Sequence, residues 1–235
     1  MHNVFFAAIA VVALWIALAQ WRRRVRLQRL EYIRTFELPK GLFDRLCKRR
    51  PALSLKDCQL VAHALRQFFL AYAMSGQKFV SMPSQVADDL WHEFILYTRN
   101  YEAFCSKAFG AFMHHTPAVV LGSDRKANAG LRRCWWFACK DENINPERPL
   151  RLPLLFAIDA KLGIEDGFRY AADCRAVRRV SQNEQSGAVH CGGDFSSSSV
   201  DGCTDGFGSD AGGGGDGGCG GGGCGGGGCG GGGGD

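Results

Sequence analysis

Three patterns that identify common classes of functional protein are absent from this 235-residue sequence. None of the 11 cysteines forms a Cys-x-x-Cys pair, the spacing that is typical of zinc and redox motifs. The two-turn zinc signature His-Glu-x-x-His is also absent. No segment alternates apolar and polar residues convincingly with the two-residue period of a half-buried strand, so we predict an all-α fold.

Basic residues are missing from both ends of the chain. All 28 Lys and Arg lie between Arg22 and Arg179 together with 16 Asp and Glu, whereas the segment from Ser181 onward has seven acidic residues and no basic ones. A basic body beside an acidic segment predicts contact with anionic lipid head groups or nucleic acid, and a solvated basic surface beside a membrane is the simpler alternative. The basic residues follow no recognisable nucleic-acid-binding motif, which argues against nucleic acid.

Charge is also absent from the first part of the chain. Val4–Trp21 is an apolar run broken only by Gln20, and as a helix it would reach about 27 Å, the thickness of a hydrocarbon core. We therefore predict a single transmembrane anchor in residues 1–21, followed by a basic juxtamembrane segment in residues 22–50. Five arginines follow the apolar run: Arg22, Arg23, Arg24, Arg26 and Arg29.

The position of these arginines predicts the orientation of the chain. The positive-inside rule places the N-terminus outside the inner (plasma) membrane and the body in the cytoplasm. A cleaved signal peptide is the alternative, because Ala17-Leu18-Ala19 resembles a cleavage site, although a basic n-region is lacking. In a reducing cytoplasm, cysteines are thiols or metal ligands rather than disulfides. Five of them have apolar or helical neighbours and are predicted core residues: Cys47, Cys58, Cys134, Cys139 and Cys174.

Residues 51–180 are predicted to form a compact helical domain. Ser54 and Asp57 have the spacing of a capping box before a helix over Leu55–Ser75. A central helix is predicted from Pro83 to about Phe109, with Ser84 as its cap. Further helices are predicted after Ser123 and over Leu154–Leu162, the latter stopped by Gly163.

Residues 181–235 form a glycine- and cysteine-rich segment. In Gly212–Asp235, 19 of 24 residues are glycine, and Cys219, Cys224 and Cys229 recur every five residues. Such a sequence has no side chains with which to build a core, so we predict a disordered tail that serves as a flexible interaction segment. Binding of a soft metal ion by the three thiols, or their joint oxidation, is the alternative.

The central helix and the segment after it contain the candidate site. Asp88 and His92 lie one turn apart, and His114 and His115 follow the helix. Imidazole and carboxylate groups suit Zn²⁺ or Fe²⁺, so these four residues are candidate metal ligands. Adjacent side chains point in different directions, so one histidine of the pair is expected to face His92. The alternative is that these groups only hydrogen-bond one another in a covered bend.

The same region resembles the core motif of the glycine-rich domain-containing protein-like family. The resemblance covers Ser54–Cys174 and includes sequence features of bacterial members. Some relatives have a second histidine two residues after the Trp-His pair, where this chain has Phe94. The family has no established activity, so the resemblance implies a fold and no reaction. The matching residues are Trp91-His92-Glu93-Phe94-Ile95-Leu96, Tyr101, Phe104-Cys105, Phe109-Gly110, Phe112, His114-His115-Thr116-Pro117, Leu152-Pro153-Leu154-Leu155-Phe156-Ala157-Ile158-Asp159 and Gly167-Phe168-Arg169-Tyr170.

Two functions follow from these patterns. The first is a membrane-anchored cytoplasmic helical domain that binds or scaffolds partners at the membrane surface. The second is a metal-binding protein or metal-dependent enzyme that uses Asp88, His92, His114 and His115. No particular reaction or substrate is predicted by the sequence.

Overall fold

The computed structural model describes residues 2–119, 125–172, 189–191 and 195 of the chain. This part is mostly helical, which confirms the all-α prediction, with the addition of two short strands. The described elements, in chain order, are α1 His2–Thr35, α2 Leu42–Arg49, α3 Leu55–Met74, α4 Gln85–Leu96, α5 Thr98–Ala108, α6 Arg125–Asp141, α7 Leu154–Lys161, β1 Arg169–Ala171 and β2 Val189–Cys191.

Helix α3 is the centre of the domain and contacts α1, α2, α4, α6 and α7. It begins at the predicted capping box: the Ser54 hydroxyl accepts a hydrogen bond from the Asp57 amide, and the Asp57 carboxylate accepts one from the Ser54 amide. Two backbone donors at the helix start are thereby satisfied. Both faces of α3 are covered, because Phe69 is buried against α5 while Gln67, on the opposite side, is buried and donates to Glu142.

The predicted central helix is two helices, so this part of the prediction is wrong. The backbone leaves helical geometry at Tyr97, where φ is −83° and ψ is 60°, and α5 starts at the next residue. The break lets α5 bury Tyr101 and Phe104 in an aromatic cluster with Phe94 and Phe36. Leu96, the last residue of α4 before the break, is 63% exposed.

The two strands correct the prediction that strands are absent. β1 and β2 pair in parallel, with Tyr170 opposite His190. β2 and Phe195 lie within residues 181–235, the segment predicted to be a disordered tail. Phe195 is buried and its ring stacks on Trp135 of α6 with centroids 5.1 Å apart. The cysteine repeat of the tail and Ser123 lie outside the described residues.

Helix α1 contains the predicted membrane anchor and continues into the domain. Phe5, Phe6 and residues 9–24 are exposed, with Trp15 70% accessible, whereas Ile33 near the end of the helix is fully buried. Among the described residues, no helix combines the length and the apolarity needed to cross a membrane.

Four of the five predicted core cysteines lie in or beside the core. Cys58, Cys134 and Cys139 are buried, and Cys47 is half-buried. The sulfur atoms of Cys47 and Cys58 are 3.1 Å apart, although 11 residues separate them in the sequence. Cys174, the fifth predicted core cysteine, lies outside the described residues.

Candidate functional site

Asp88 occupies the first turn of α4, whose start is fixed by two capping groups. Ser84 is the N-cap, and its hydroxyl accepts a hydrogen bond of 3.1 Å from the Ala87 amide. The buried carboxylate of Asp159 on α7 accepts hydrogen bonds from the Ser84 hydroxyl and from the Gln85 and Val86 amides, at 2.7, 2.8 and 3.2 Å. Because the first amides of a helix have no partner within it, these contacts attach the start of α4 to α7.

His115 reaches the same place along the segment after α5. The chain turns at Gly110, where φ is +75°, and the hydroxyl of Tyr101 then donates a 2.6 Å hydrogen bond to the Met113 carbonyl. The imidazole of His115 packs against the indole of Trp91, with ring centroids 4.7 Å apart. The backbone of the segment is held again at Val119, whose amide donates to the Met82 carbonyl.

Asp88, His92 and His115 therefore converge, and we call them the Asp–His cluster. One ligand atom from each residue lies within 4.8 Å of those of the other two. The Nε2 atom of His115 is 2.8 Å from Oδ1 of Asp88, and the two imidazole centroids are 4.0 Å apart. The Asp88 residue is 3% exposed, whereas the side chains of His115 and His92 are 19% and 44% exposed. The cluster thus has a buried carboxylate and an opening to solvent beside His92.

The hydrogen bonds of the cluster constrain its protons. The Nδ1 atom of His92 lies 3.0 Å from the Asp88 carbonyl oxygen, which can only accept, so Nδ1 is the protonated nitrogen of this hydrogen bond. In the neutral form of the ring, the Nε2 atom is the one with the free lone pair. Burial raises the pKa of the Asp88 carboxyl, while the hydrogen bond and charge of His115 and the charge of His92 oppose this shift. A cation at the cluster would relieve the same cost of burying the carboxylate.

His114 lies apart from the cluster. Its side chain is exposed and its ring packs against Phe112, with centroids 5.1 Å apart. The alternation of adjacent side chains accounts for this: when His115 faces α4, His114 faces away. Of the four candidate ligands, the structure brings three together and leaves the fourth outside.

Asp89, the neighbour of Asp88, faces a different partner. Its buried carboxylate forms ion pairs with Arg49 at 3.1 Å and with Arg50 at 2.7 Å, at the end of α2. Arg50 also forms a bidentate ion pair with Asp166. This ion pair connects the end of α2 to the segment before β1. The two adjacent aspartates of α4 thus have separate roles, one in an ion-pair network and one in the Asp–His cluster.

Several positioning groups are not evident in the sequence. Asp159 is 74 residues from the amide of Gln85 that it caps, and Tyr101 is 12 residues from the carbonyl that it holds. The signal that could have identified Asp159 is its place on a short helix that is otherwise apolar up to its final Lys161, since a buried carboxylate requires donors. Trp91 belongs to the motif that resembles the glycine-rich domain-containing protein-like family. In the structure its indole packs against the imidazole of His115.

Among the residues that the structure describes, the Asp–His cluster is the one group of three with metal-ligand geometry. No curated protein and no solved structure matches the chain. The resemblance to the glycine-rich domain-containing protein-like family stays a prediction, because no matching protein, structure or family model links the chain to it.

Residues 28–195 match the family model described as UCP032817-like. The match runs from the second half of α1 to Phe195 and includes all three residues of the Asp–His cluster. It also ends at the aromatic residue that stacks on Trp135, so the matched segment and the packed core coincide. The chain belongs to the UCP032817-like family, which has no characterised function.

Proposed function

We propose that the protein binds a divalent zinc or iron cation through Asp88, His92 and His115. The observation that supports this proposal is the approach of one carboxylate and two imidazoles to within 4.8 Å of one another. Two histidines and one carboxylate are a ligand set used by both zinc and non-haem iron. Three protein ligands leave at least one coordination position for water or a substrate, and His92 lies on the open side.

Local groups would hold the imidazoles in place. The Nδ1–H of His92 donates to the Asp88 carbonyl, an outer hydrogen bond of the kind that orients metal-bound histidines. The proton shared by His115 Nε2 and Asp88 Oδ1 occupies the position that a cation would take. Metal binding would therefore release this proton, and affinity would fall as the pH is lowered.

The test is metal content of the purified full chain after loading with Zn²⁺, or with Fe²⁺ under anaerobic conditions, and removal of free ion. We expect stoichiometric metal in the wild type and in His114→Ala, and loss in His92→Ala and His115→Ala. His114→Ala is the matched control, because it removes the neighbouring imidazole outside the cluster. Metal held by the tail cysteines would be present in all four proteins and would cancel in the comparison.

Two outcomes would contradict the proposal. The first is metal content that is unchanged in a folded His115→Ala variant. The second is an equal loss of metal in His114→Ala and His115→Ala. Such a result would show that metal content does not depend on which of the two histidines is present. Circular dichroism of each variant establishes that the fold is intact before metal content is compared.

A second proposal concerns where the protein acts: we infer that it is a membrane-anchored binding or scaffolding protein with its domain in the cytoplasm. The support is the run of large apolar residues exposed along α1, since exposed apolar patches of this kind mark interaction or membrane surfaces. These residues are Phe5, Phe6, Ile9, Val11, Val12, Leu14, Trp15, Ile16, Leu18 and Trp21.

Cell fractionation followed by protease treatment of spheroplasts tests this second proposal. We expect the full chain in the inner-membrane fraction, resistant to alkaline carbonate, with the domain protected from external protease. Recovery in the soluble fraction would contradict attachment. Digestion of the domain from outside would contradict the orientation alone.

A further inference from the structure

Helix α1 borders a cleft at the point where its exposed apolar part reaches the domain. The cleft has a volume of about 380 Å³ and lies between α1, the end of α3 and the end of α5. We call it the arginine cleft. Its lining residues are Trp21, Arg22, Val25, Arg26, Arg29, Leu30, Ala73, Gly76, Gln77 and Ala108.

The charge of the arginine cleft is of one sign. Three of its lining residues are arginines and none is acidic. Arg26 donates to the Met74 carbonyl and Arg29 donates to the Phe109 carbonyl, each at 2.8 Å, at the ends of α3 and α5. A guanidinium has five N–H donors, so these contacts orient both groups and leave donors for a ligand. Arg22 makes no hydrogen bond or ion pair with the described residues.

Apart from Gly76 and Gln77, whose side-chain amide donates to the Phe109 carbonyl, the rest of the lining is apolar. The apolar surface continues beyond the cleft. Trp21 stands at the edge and is 62% exposed, and the exposed residues of α1 extend from it toward the N-terminus. A ligand that suits this surface has an anionic oxygen-rich group for the arginines and hydrocarbon for α1. Planar guanidinium groups match phosphate oxygens in two-point hydrogen bonds.

We propose that the arginine cleft binds the phosphate head group of an anionic phospholipid, with the acyl chains along the exposed apolar residues of α1. Trp21 would lie at the level of the interface, where tryptophan is enriched in membrane proteins. This inference rests on the membrane attachment proposed above. It adds a defined lipid site to that attachment. If the basic segment attracted anionic lipid only through its total charge, all of its arginines would contribute equally.

Two measurements on the detergent-purified full chain test the inference. In the first, the protein is mixed with vesicles of phosphatidylcholine, with or without phosphatidylglycerol, and floated on a density gradient. In the second, native mass spectrometry counts the phosphatidylglycerol or phosphatidylcholine molecules retained by each chain in neutral detergent. We expect flotation with both vesicles, and retention of one phosphatidylglycerol in preference to phosphatidylcholine.

Variants assign the retained lipid to the arginine cleft. Arg22→Gln/Arg26→Gln removes two lining charges, and Arg23→Gln/Arg24→Gln removes two charges of the same helix outside the lining. We expect retention to weaken roughly tenfold or more in the first pair, since each basic residue near anionic lipid contributes roughly a fivefold effect. The second pair should retain lipid as the wild type does. Arg22→Gln alone removes an exposed side chain without a hydrogen bond or ion pair to the described residues, so we expect it to leave the fold intact, which circular dichroism checks.

Each failure has a distinct meaning. Absence of flotation with either vesicle would contradict membrane attachment itself. Flotation with equal loss of lipid in both arginine pairs would leave attachment intact and overturn the cleft. Displacement of phosphatidylglycerol by inorganic phosphate at equal concentration would also overturn it, because the site would then recognise free phosphate rather than lipid.

Discussion

The hydroxyl of Tyr101 donates a 2.6 Å hydrogen bond to the carbonyl of Met113 and accepts one of 3.2 Å from the indole of Trp91. This buried hydroxyl therefore joins α4, α5 and the segment that leads to His115. Since His115 follows Met113 by two residues, Tyr101 fixes the approach of the imidazole to Asp88.

Replacing Tyr101 by phenylalanine should loosen that approach without removing a ligand. The Met113 carbonyl and the Trp91 N–H would both lose a buried partner, at a cost of about 1–3 kcal/mol in the free energy of unfolding. Metal affinity should fall roughly tenfold, as for other groups that orient ligands. Urea denaturation and metal competition measure the two effects. Tyr97→Phe is the control, because its hydroxyl makes only a 3.5 Å contact to Lys40; equal effects in both variants would contradict this role.

Zinc should stabilise the folded chain through the Asp–His cluster. At a free zinc concentration 100 times the dissociation constant, the free energy of unfolding should rise by about 2.7 kcal/mol. Thermal unfolding with and without zinc measures this increase, which we expect in the wild type and His114→Ala but not in Asp88→Asn or His115→Ala. The increase should disappear on acidification, because the imidazoles and the carboxylate bind metal only when deprotonated. Equal stabilisation of His115→Ala would contradict the assignment.

Removal of the Asp159 carboxylate should destabilise the whole domain. Asp159→Ala leaves the Ser84 hydroxyl and the Gln85, Val86 and Phe168 amides without their acceptor. We expect a loss of about 3 kcal/mol or more in the free energy of unfolding, measured by urea denaturation. Asp159→Asn, which retains one acceptor oxygen, should lose less. Asp44→Ala removes an exposed aspartate and is the control; a loss similar to that of the control would show that α4 does not depend on this cap.

The ion pair between Arg50 and Asp166 should make stability depend on pH in a defined window. The hydrogen bond from Arg50 lowers the pKa of Asp166 below 3.8, its ordinary value. A carboxyl with a depressed folded pKa stabilises the fold above its unfolded pKa, and the contribution is lost as the pH falls through the folded pKa. Because Asp166 is 55% exposed, Asp166→Asn should cost at most about 1 kcal/mol at pH 7.

Urea denaturation at pH 7 and at several pH values descending from 3.8 checks this prediction. The difference between the wild type and Asp166→Asn should be complete at pH 7, shrink as the pH falls below 3.8 and vanish below the depressed folded pKa of Asp166. Glu165→Gln, a change in the exposed neighbouring residue, should alter stability little at either pH. A difference between wild type and Asp166→Asn that persists unchanged in acid would contradict the ion-pair explanation.

The features predicted correctly from the sequence are those decided by neighbouring residues. The capping box of Ser54 and Asp57, the Ser84 cap and the stop of α7 at Gly163 each depend on a few consecutive positions. The backbone groups at the ends of a helix are bound by side chains a few residues away or by water. Residue type and spacing therefore determine where the helix begins and ends.

The features that the sequence did not predict depend on distant contacts. The break at Tyr97 accompanies the packing of Tyr101 on Phe94 and of Phe104 on Phe36, which lies more than 60 residues earlier in the chain. The pairing of β1 with β2 joins segments 20 residues apart over only three residues each, too short to show a period. The sequence does not predict which of His114 and His115 faces His92. The hydrogen bond from Tyr101 to the Met113 carbonyl positions this segment, and it joins residues 12 positions apart.

Helix α1 runs without interruption from its exposed apolar residues to Ile33 in the core. At 1.5 Å per residue its 34 residues form a rod of about 51 Å. Because α1 packs on α3 and α5, continuous helical backbone without a break joins its exposed apolar part to the packed helices. The opening beside His92 therefore has a fixed direction relative to the axis of α1.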